Sequence, residues 1–323
     1  MCHSLSDVPD IIDTWNEGKV ADVEGYYENA KINRVYVDRV HVKKAFAEYT
    51  AAYNADDPKI KLKIDHTYRV AALCERIAKA AGMCAYDVEL AWLSGMLHDV
   101  GRFEQIKRYN TFSDADSVDH AKFGADLLFK DGLISTFLNG MVKCTGYKPG
   151  ALEDRYSSDG VFLYDRLNKS DMEMLELAIR CHNMYRIPKG LNSREQAFCN
   201  VLRDADKVDI FKVNIDTPLE EIYNTTTEEL MKSDITDEVL EAFDEEHCIL
   251  KAIRRTPADT VIGHVSLAYE LVYDESVRIT VEQGYLAKLM HFHSDNEETN
   301  RKMAMVREKM DSYVKKRIGG KDA

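Results

Sequence analysis

Proline and glycine are scarce in this chain, at 6 and 16 of 323 residues. That excludes collagenous and low-complexity architectures. No apolar run approaches the ~20 residues a membrane span requires. The start, Met1-Cys2-His3-Ser4 followed by Asp7, Asp10 and Asp13, lacks the basic-then-apolar order of a secretory leader. A cytoplasmic protein with no membrane partner is the expectation. The seven cysteines (2, 74, 84, 144, 181, 199, 248) are scattered and form no C-x-x-C pair. Neither a disulfide framework nor a zinc ribbon is indicated, and small buried hydrophobes are expected instead. Basic residues are outnumbered, 43 Lys and Arg against 56 Asp and Glu, a net charge of -13. This argues against a broad nucleic-acid surface. An anionic substrate would need a local positive charge, which a bound metal supplies.

What remains is an ordinary globular composition, 45% hydrophobic and 31% charged. The pattern reads helical almost throughout, so the fold class is all-α. The best strand-like alternation is short, Ile60-Lys61-Leu62-Lys63-Ile64. Residues 1–40 read as an N-terminal extension and 41–54 as a helix. Residues 41–215 form the helical core. Residues 216–323 are acidic and helical, with helices near 219–232, 236–253, 258–274 and 296–317. They read as a C-terminal elaboration packed on the core. Loops are expected over 102–117, 143–168 and 183–193. Oligomeric state is not readable.

Five core segments carry polar groups where an apolar face should be unbroken. Residues 65–81 align His66 with Val70, Leu73 and Ile77. Residues 87–100 are apolar nearly all round and end in His98-Asp99, with Gly101 as the stop. Residues 118–130 align His120 with Phe123 and Leu127. Residues 171–182, opened by a Ser170/Glu173 capping box, align Leu175, Ala178 and His182. Residues 194–215 align Cys199, Leu202, Asp206, Ile210 and Val213; Asp206 is preferred over Asp204, which falls off that stripe. A buried ionised carboxylate costs several kcal/mol unless a cation meets it. Imidazole and carboxylate are the usual ligands of Zn, Fe and Mn. A metal would satisfy all six groups at once.

The order His66, His98-Asp99, His120, His182, Asp206 resembles the H…HD…H…H…D pattern of the HD-domain metal-dependent phosphohydrolase superfamily, in its six-ligand, two-metal form. The surroundings agree over roughly 60–215. Leu97-His98-Asp99-Val100-Gly101-Arg102 is similar to L-H-D-[IV]-G-[KR]. Asp119-His120-Ala121-Lys122-Phe123-Gly124-Ala125 resembles D-H-A-x-x-G-A, and Ala178-Ile179-Arg180-Cys181-His182 resembles A-I-x-x-H. The cyclic-di-GMP phosphodiesterase branch carries a histidine pair and a G-Y-P element at the fourth histidine; here Cys181 precedes His182 and the element is missing.

The resemblance implies a helical bundle. It implies one ion held by His66, His98, Asp99 and Asp206, and a second held by His120, His182 and a bridging Asp99. Two divalent transition-metal ions, from among Fe, Mn, Zn and Co, would be the cofactors. It implies hydrolysis of a phosphoester by a metal-bridging hydroxide, with a small phosphorylated substrate, a nucleotide being one candidate. Arg102 and Lys207 would act with Asp99 in catalysis. Arg102, Lys122, Tyr185 and Arg186 would bind substrate. Two further readings use the same ligands: a mixed-valent diiron oxygenase, and a catalytically silent HD module serving as scaffold or sensor. His3 and His41 read as exposed, His264 as a core histidine, and His291-Phe292-His293 as unsupported for metal.

Overall fold

In the computed structural model, the described residues are 37–54, 56–138, 143–144, 162–163, 167, 169–223 and 225–319. Helix α1, Arg39–Thr50, opens on Asp38, whose carboxylate accepts from the Val40 and His41 amides. Val37 is buried. The Arg39 guanidinium pairs with Glu75 at 2.6 Å and Glu89 at 2.9 Å and lies 4.8 Å over the Trp92 ring. The last residues of the expected extension are therefore part of the packed structure. His41 is half-buried and reaches the Thr136 carbonyl at 3.0 Å.

Helix α2, Pro58–Ala80, starts with Pro at N1 and an Asp57 cap on the Lys59 amide. These two signals outweigh the short alternation at 60–64, which lies in the first turns of the helix. Its buried face carries His66, Val70, Leu73, Cys74 and Ile77. It packs on α3, Ala85–Leu97, which is buried from Leu90 to Leu97. Each of these leucines contributes about 1.5–3 kcal/mol by leaving water. Gly95 lets the two helices touch, because a Cβ there would stand 2.6 Å from Ala71 Cα.

Helix α3 stops at Leu97. His98 and Asp99 form the turn, and α4 runs Val100–Tyr109. The expected stop at Gly101 and loop from 102 are thus corrected: Gly101 is helical. Asn110, at φ 52°, supplies the left-handed residue that ends α4. Tyr49 ties α1 to this turn by donating to the Val100 carbonyl at 2.9 Å, and Phe46, Tyr49, Tyr53 and Phe103 pack ring on ring beside it.

Helix α5, His120–Ala125, continues as a π-turn over Asp126–Lys130, followed by α6, Ile134–Leu138. A two-residue antiparallel pair, β1 Lys143–Cys144 with β2 Phe162–Leu163, is the sole sheet among the described residues. The rest of the expected 143–168 loop lies outside them, apart from Leu167. Helix α7, Lys169–Cys181, begins before Ser170, so Ser170 is helical rather than the cap. The fold is all-α. Among the described residues no helix is long and apolar enough to cross a membrane. Cys84 is disulfide-bonded, which its spacing did not signal; Cys74, Cys181 and Cys199 are buried thiols.

The described residues fall into two compact units, divided where α7 ends. This is earlier than the limit at 215 read from the sequence. The second unit contains α8 (Ser193–Asp216), α9 (Leu219–Tyr223), α10 (Thr227–Lys232), α11 (Asp237–Asp244), α12 (Pro257–Val265), α13 (Asp274–Gln283), α14 (Tyr285–Met290) and α15 (Glu297–Ile318). Helices α8, α10 and α12 open on capping boxes at Asn192/Glu195, Thr226/Glu229 and Thr256/Asp259. Phe211, Leu230, Phe243, Ile262, Leu289 and Met303 stand in its core. Asp204 is fully buried and accepts from the Val272 and Tyr273 amides, each at 3.0 Å, and from Ser276 at 2.7 Å. It thereby ties α8 to the segment that leads into α13.

His264 on α12 is half-buried, and its Nδ1 is enclosed without a hydrogen-bond partner, so it is not the satisfied core histidine expected. Burial, reinforced by Arg254 and Lys251, pushes its imidazole down to about 3. The unfolded chain, with an ordinary histidine near 6.5, binds this proton first as pH falls. Stability from this site is therefore complete above about pH 6.5 and declines towards pH 3, by about 2 kcal/mol between pH 7 and 5. Urea unfolding at the two pH values should show this loss in the native chain and a much smaller one in His264→Phe.

Candidate metal centre

His66 sits on the buried face of α2, and His98 is the first residue past α3. Both are 1% exposed or less. The His98 Nδ1–H donates to the Gly95 carbonyl at 2.8 Å, which makes Nε2 the nitrogen that carries the lone pair. That Nε2 lies 3.3 Å from His66 Nε2. Asp99 stands at the N-cap of α4 but makes no cap hydrogen bond. Its carboxylate turns instead to the histidines: Oδ2 is 3.6 Å from His66 Nε2 and 3.5 Å from His98 Nε2.

Those three atoms define a triangle with a circumradius of about 2.0 Å, the metal–nitrogen distance of ordinary Zn sites. At 3.3 Å the His66 Nε2–H donates to the His98 lone pair, and a cation would take the place of that proton. The donor set fits a divalent transition metal.

The second Asp99 oxygen faces the other way, with Oδ1 3.6 Å from His120 Nε2. His120 opens α5, which crosses α4 at two glycines. A Cβ on Gly101 would lie 2.5 Å from the His120 carbonyl and 2.7 Å from the Gly124 amide nitrogen. Only hydrogen atoms fit there, so the glycines of both sequence elements set the distance from His120 to Asp99. The His120 ring is oriented from behind. Its Nδ1 donates to Asp114 Oδ2 at 2.7 Å, so Nε2 carries the lone pair that faces Asp99. Ligand atoms of Asp99, His120 and His182, the residue that follows α7, lie within 4.8 Å of one another, and all three residues are buried. Of the two other groups that could hold a metal among the described residues, His66, His98 and Asp99 form one and Asp114, Asp119 and His120 the other.

Burial pushes the Asp99 carboxyl up, but the charge of Lys63, then of His98 when protonated, Arg102, and His120 when protonated, outweighs it and holds the group well below the usual carboxylate range. Asp114 is likewise pushed up by burial and pulled lower overall, by its bond to His120 and by Arg102 and Gln105. Asp114→Ala should leave the His120 ring free to turn and weaken the second ion about 10–100-fold while leaving the first unchanged. Calorimetric titration with manganese resolves the two steps.

Asp206 is half-buried on α8 in the second unit and belongs to none of the three groups. Its neighbours Asp204 and Asp209 are the buried acids of that helix, contrary to the stripe that put Asp204 off the buried face. Arg102 directs its Nη1 to Gln105 at 2.8 Å, the Phe112 carbonyl at 2.7 Å and Asp114 at 3.0 Å, with Nε 3.8 Å from Asp99. It braces the 110–119 loop against the site. Lys122 is exposed and paired with Asp119 at 2.7 Å. Tyr185 is exposed and donates to the Cys248 carbonyl, with Arg186 over its ring. Desolvation, then Arg203, lowers the Lys207 ammonium against the pull of Asp204, Asp206 and Glu270. His291 and His293 are exposed and enter no metal group among the described residues.

Sequence reasoning missed Asp114 and Lys63, which donates to Asp99 Oδ2 at 2.7 Å. Lys63 lies three residues before His66 on one helix, a spacing that places both on one face. Asp114 is reached through a loop and had no such signal.

Residues 64–212 match the HD domain. The match spans α2 to α8 and so includes all six of the pattern's histidines and aspartates. Proteins with this domain bind divalent metals, and most are metal-dependent hydrolases. Neither the curated proteins nor the solved structures gave a significant match to the chain.

Proposed function

We propose that the protein is a metal-dependent phosphohydrolase with a dinuclear centre, acting on a nucleotide or a small phosphomonoester or diester. The observation that carries this reading is Asp99, whose two oxygens face different histidines: Oδ2 faces His66 and His98, and Oδ1 faces His120. One carboxylate between two imidazole sets is what a bridged pair of ions requires. His66 and His98 with Asp99 would hold one ion, Asp206 completing its ligands. His120 and His182 with Asp99 would hold the other. When bound, such ions supply Lewis-acid activation of water and of the phosphoryl oxygens.

The protein's own contribution is positional. Gly95 fixes the His98 tautomer through its carbonyl, and Asp114 does the same for His120. Both rings then present Nε2 to the centre without reorganisation. Arg102 and Gln105 hold Asp114 and the 110–119 loop in place, so the Arg102 guanidinium serves this reading through Asp114 and Asp99 more than through substrate. Lys207, as a desolvated cation in the second unit, is a candidate for the phosphoryl oxygens, with Lys122, Tyr185 and Arg186 as outer contacts. A cytoplasmic location fits a nucleotide substrate.

The test is hydrolysis of an aryl phosphate, a bis-aryl phosphodiester and a nucleotide panel by protein loaded with Mn, Fe, Co, Zn or Ni. Metal-dependent release of phosphate or nucleotide supports the reading. Two bound ions without turnover of any substrate would point to a silent module. Iron-loaded protein with a mixed-valent EPR signal and no hydrolysis would point to an oxygenase.

A further inference from the structure

Of the two cations paired with Asp99 among the described residues, Arg102 stands 3.8 Å from Oδ1 with its guanidinium engaged by Gln105, Phe112 and Asp114, and Lys63 is the closer. Its ammonium lies 2.7 Å from Asp99 Oδ2. The same oxygen is one corner of the triangle with His66 Nε2 and His98 Nε2. An ion equidistant from those three corners and an ammonium on one of them would stand only a few ångströms apart, with little water between them. Like charges at that range repel strongly.

The two partners differ in what they can do about it. Asp99 is fixed, 2% exposed, in the tight turn between α3 and α4. Lys63 is 17% exposed on a flexible four-carbon stem, and its ammonium already lies 5.5 Å from the Phe112 ring. The lysine can leave the carboxylate, and the carboxylate cannot leave the lysine. Without an ion, Asp99 would be a buried carboxylate that requires a cation, and Lys63 supplies one.

We propose that Lys63 is a built-in counter-ion of Asp99, which holds the carboxylate in ligating position and is displaced when the first divalent ion enters. It is a positioning residue for the empty centre and a competitor of the ion. This rests on the metal reading above. Its consequence has a sign opposite to that of a simple supporting residue: removing the charge tightens metal binding.

The test is titration of the full-length apo protein with manganese(II) at fixed pH, comparing wild type with Lys63→Met, Lys63→Gln and Lys63→Arg. Met keeps the length of the stem, and Gln keeps a donor for Asp99 should Met impair folding. Both neutral variants should bind the first ion at least about 10-fold more tightly. They should also show a larger rise in melting temperature on adding manganese, since their apo forms have lost the Asp99 partner. Arg should restore wild-type affinity. Unchanged or weaker binding in the neutral variants, with wild type still binding manganese, overturns the counter-ion role and leaves the metal reading standing. A wild-type chain that binds no ion overturns both.

Discussion

Asp99→Ala is expected to empty the centre. The substitution removes the only carboxylate shared by both groups and leaves His66, His98 and His120 with nothing between them. Metal content by elemental analysis should fall from about two ions per chain to a small fraction of one, with hydrolysis reduced to background, because both ions lose the ligand that joins them. The effect is not simple unfolding. Asp99 makes no cap hydrogen bond to α4, so the helix does not depend on its side chain. The Lys63 ammonium loses its partner but has a route to water at 17% exposure. Circular dichroism should therefore remain helical. A variant that keeps two ions would remove Asp99 from the centre altogether.

Gly101→Ala should have the second large effect, through geometry alone. A methyl group at this position would lie within 3.0 Å of three backbone atoms, the His120 carbonyl, Gly124 N and Gly124 Cα. Backbone cannot rotate aside as a side-chain tip can, so α4 and α5 must separate. Overpacking of this kind costs about 1–3 kcal/mol and sometimes more. The same separation carries His120 away from Asp99 Oδ1, so the second ion should be lost at manganese concentrations that still fill the first. Thermal unfolding and metal stoichiometry together test this. A variant with a normal melting temperature and two ions would mean that the two glycines do not control the approach. Gly82→Ala would be a poor control, since its φ of +73° brings a different strain.

The centre was legible in the sequence because burial makes polar groups conspicuous. His66, His98, Asp99, His120 and His182 interrupt apolar stripes, and each is 4% exposed or less. A periodic pattern conveys which face is buried, and on α2, α5 and α7 that face is narrow enough to single out one residue. Helix α8 is different. Phe198, Val201, Leu202, Ala205, Val208 and Phe211 bury a wide face, which also takes in Asp204 and Asp209. Spacing alone cannot rank three acids within six residues of such a helix, and the buried Asp204 holds the segment leading into α13 through Tyr273 and Ser276.

Element boundaries were misread where one residue type serves two purposes. Gly101 follows a helix, as a stop would, yet its role is close packing inside the next one. Ile60 to Ile64 alternate like a strand, yet Asp57 and Pro58 start a helix just before them. Tertiary contacts through loops left no local trace. The Asp114–His120 bond depends on the path of residues 110–119, which Arg102 sets from α4. Helices α13 and α14 lie in a stretch, 274–295, where Val277, Ile279 and Val281 alternate like a strand and Leu286, Leu289 and Met290 form a run too short to show a helical period.

The most direct test of the account is the metal content of the full-length wild-type chain after reconstitution with excess manganese or iron and removal of free ion. About two ions per chain are predicted, falling to about one in His120→Ala, because His66, His98 and Asp99 still form the first group. A reconstituted chain that holds no ion, or a His120→Ala variant that still holds two, would contradict it.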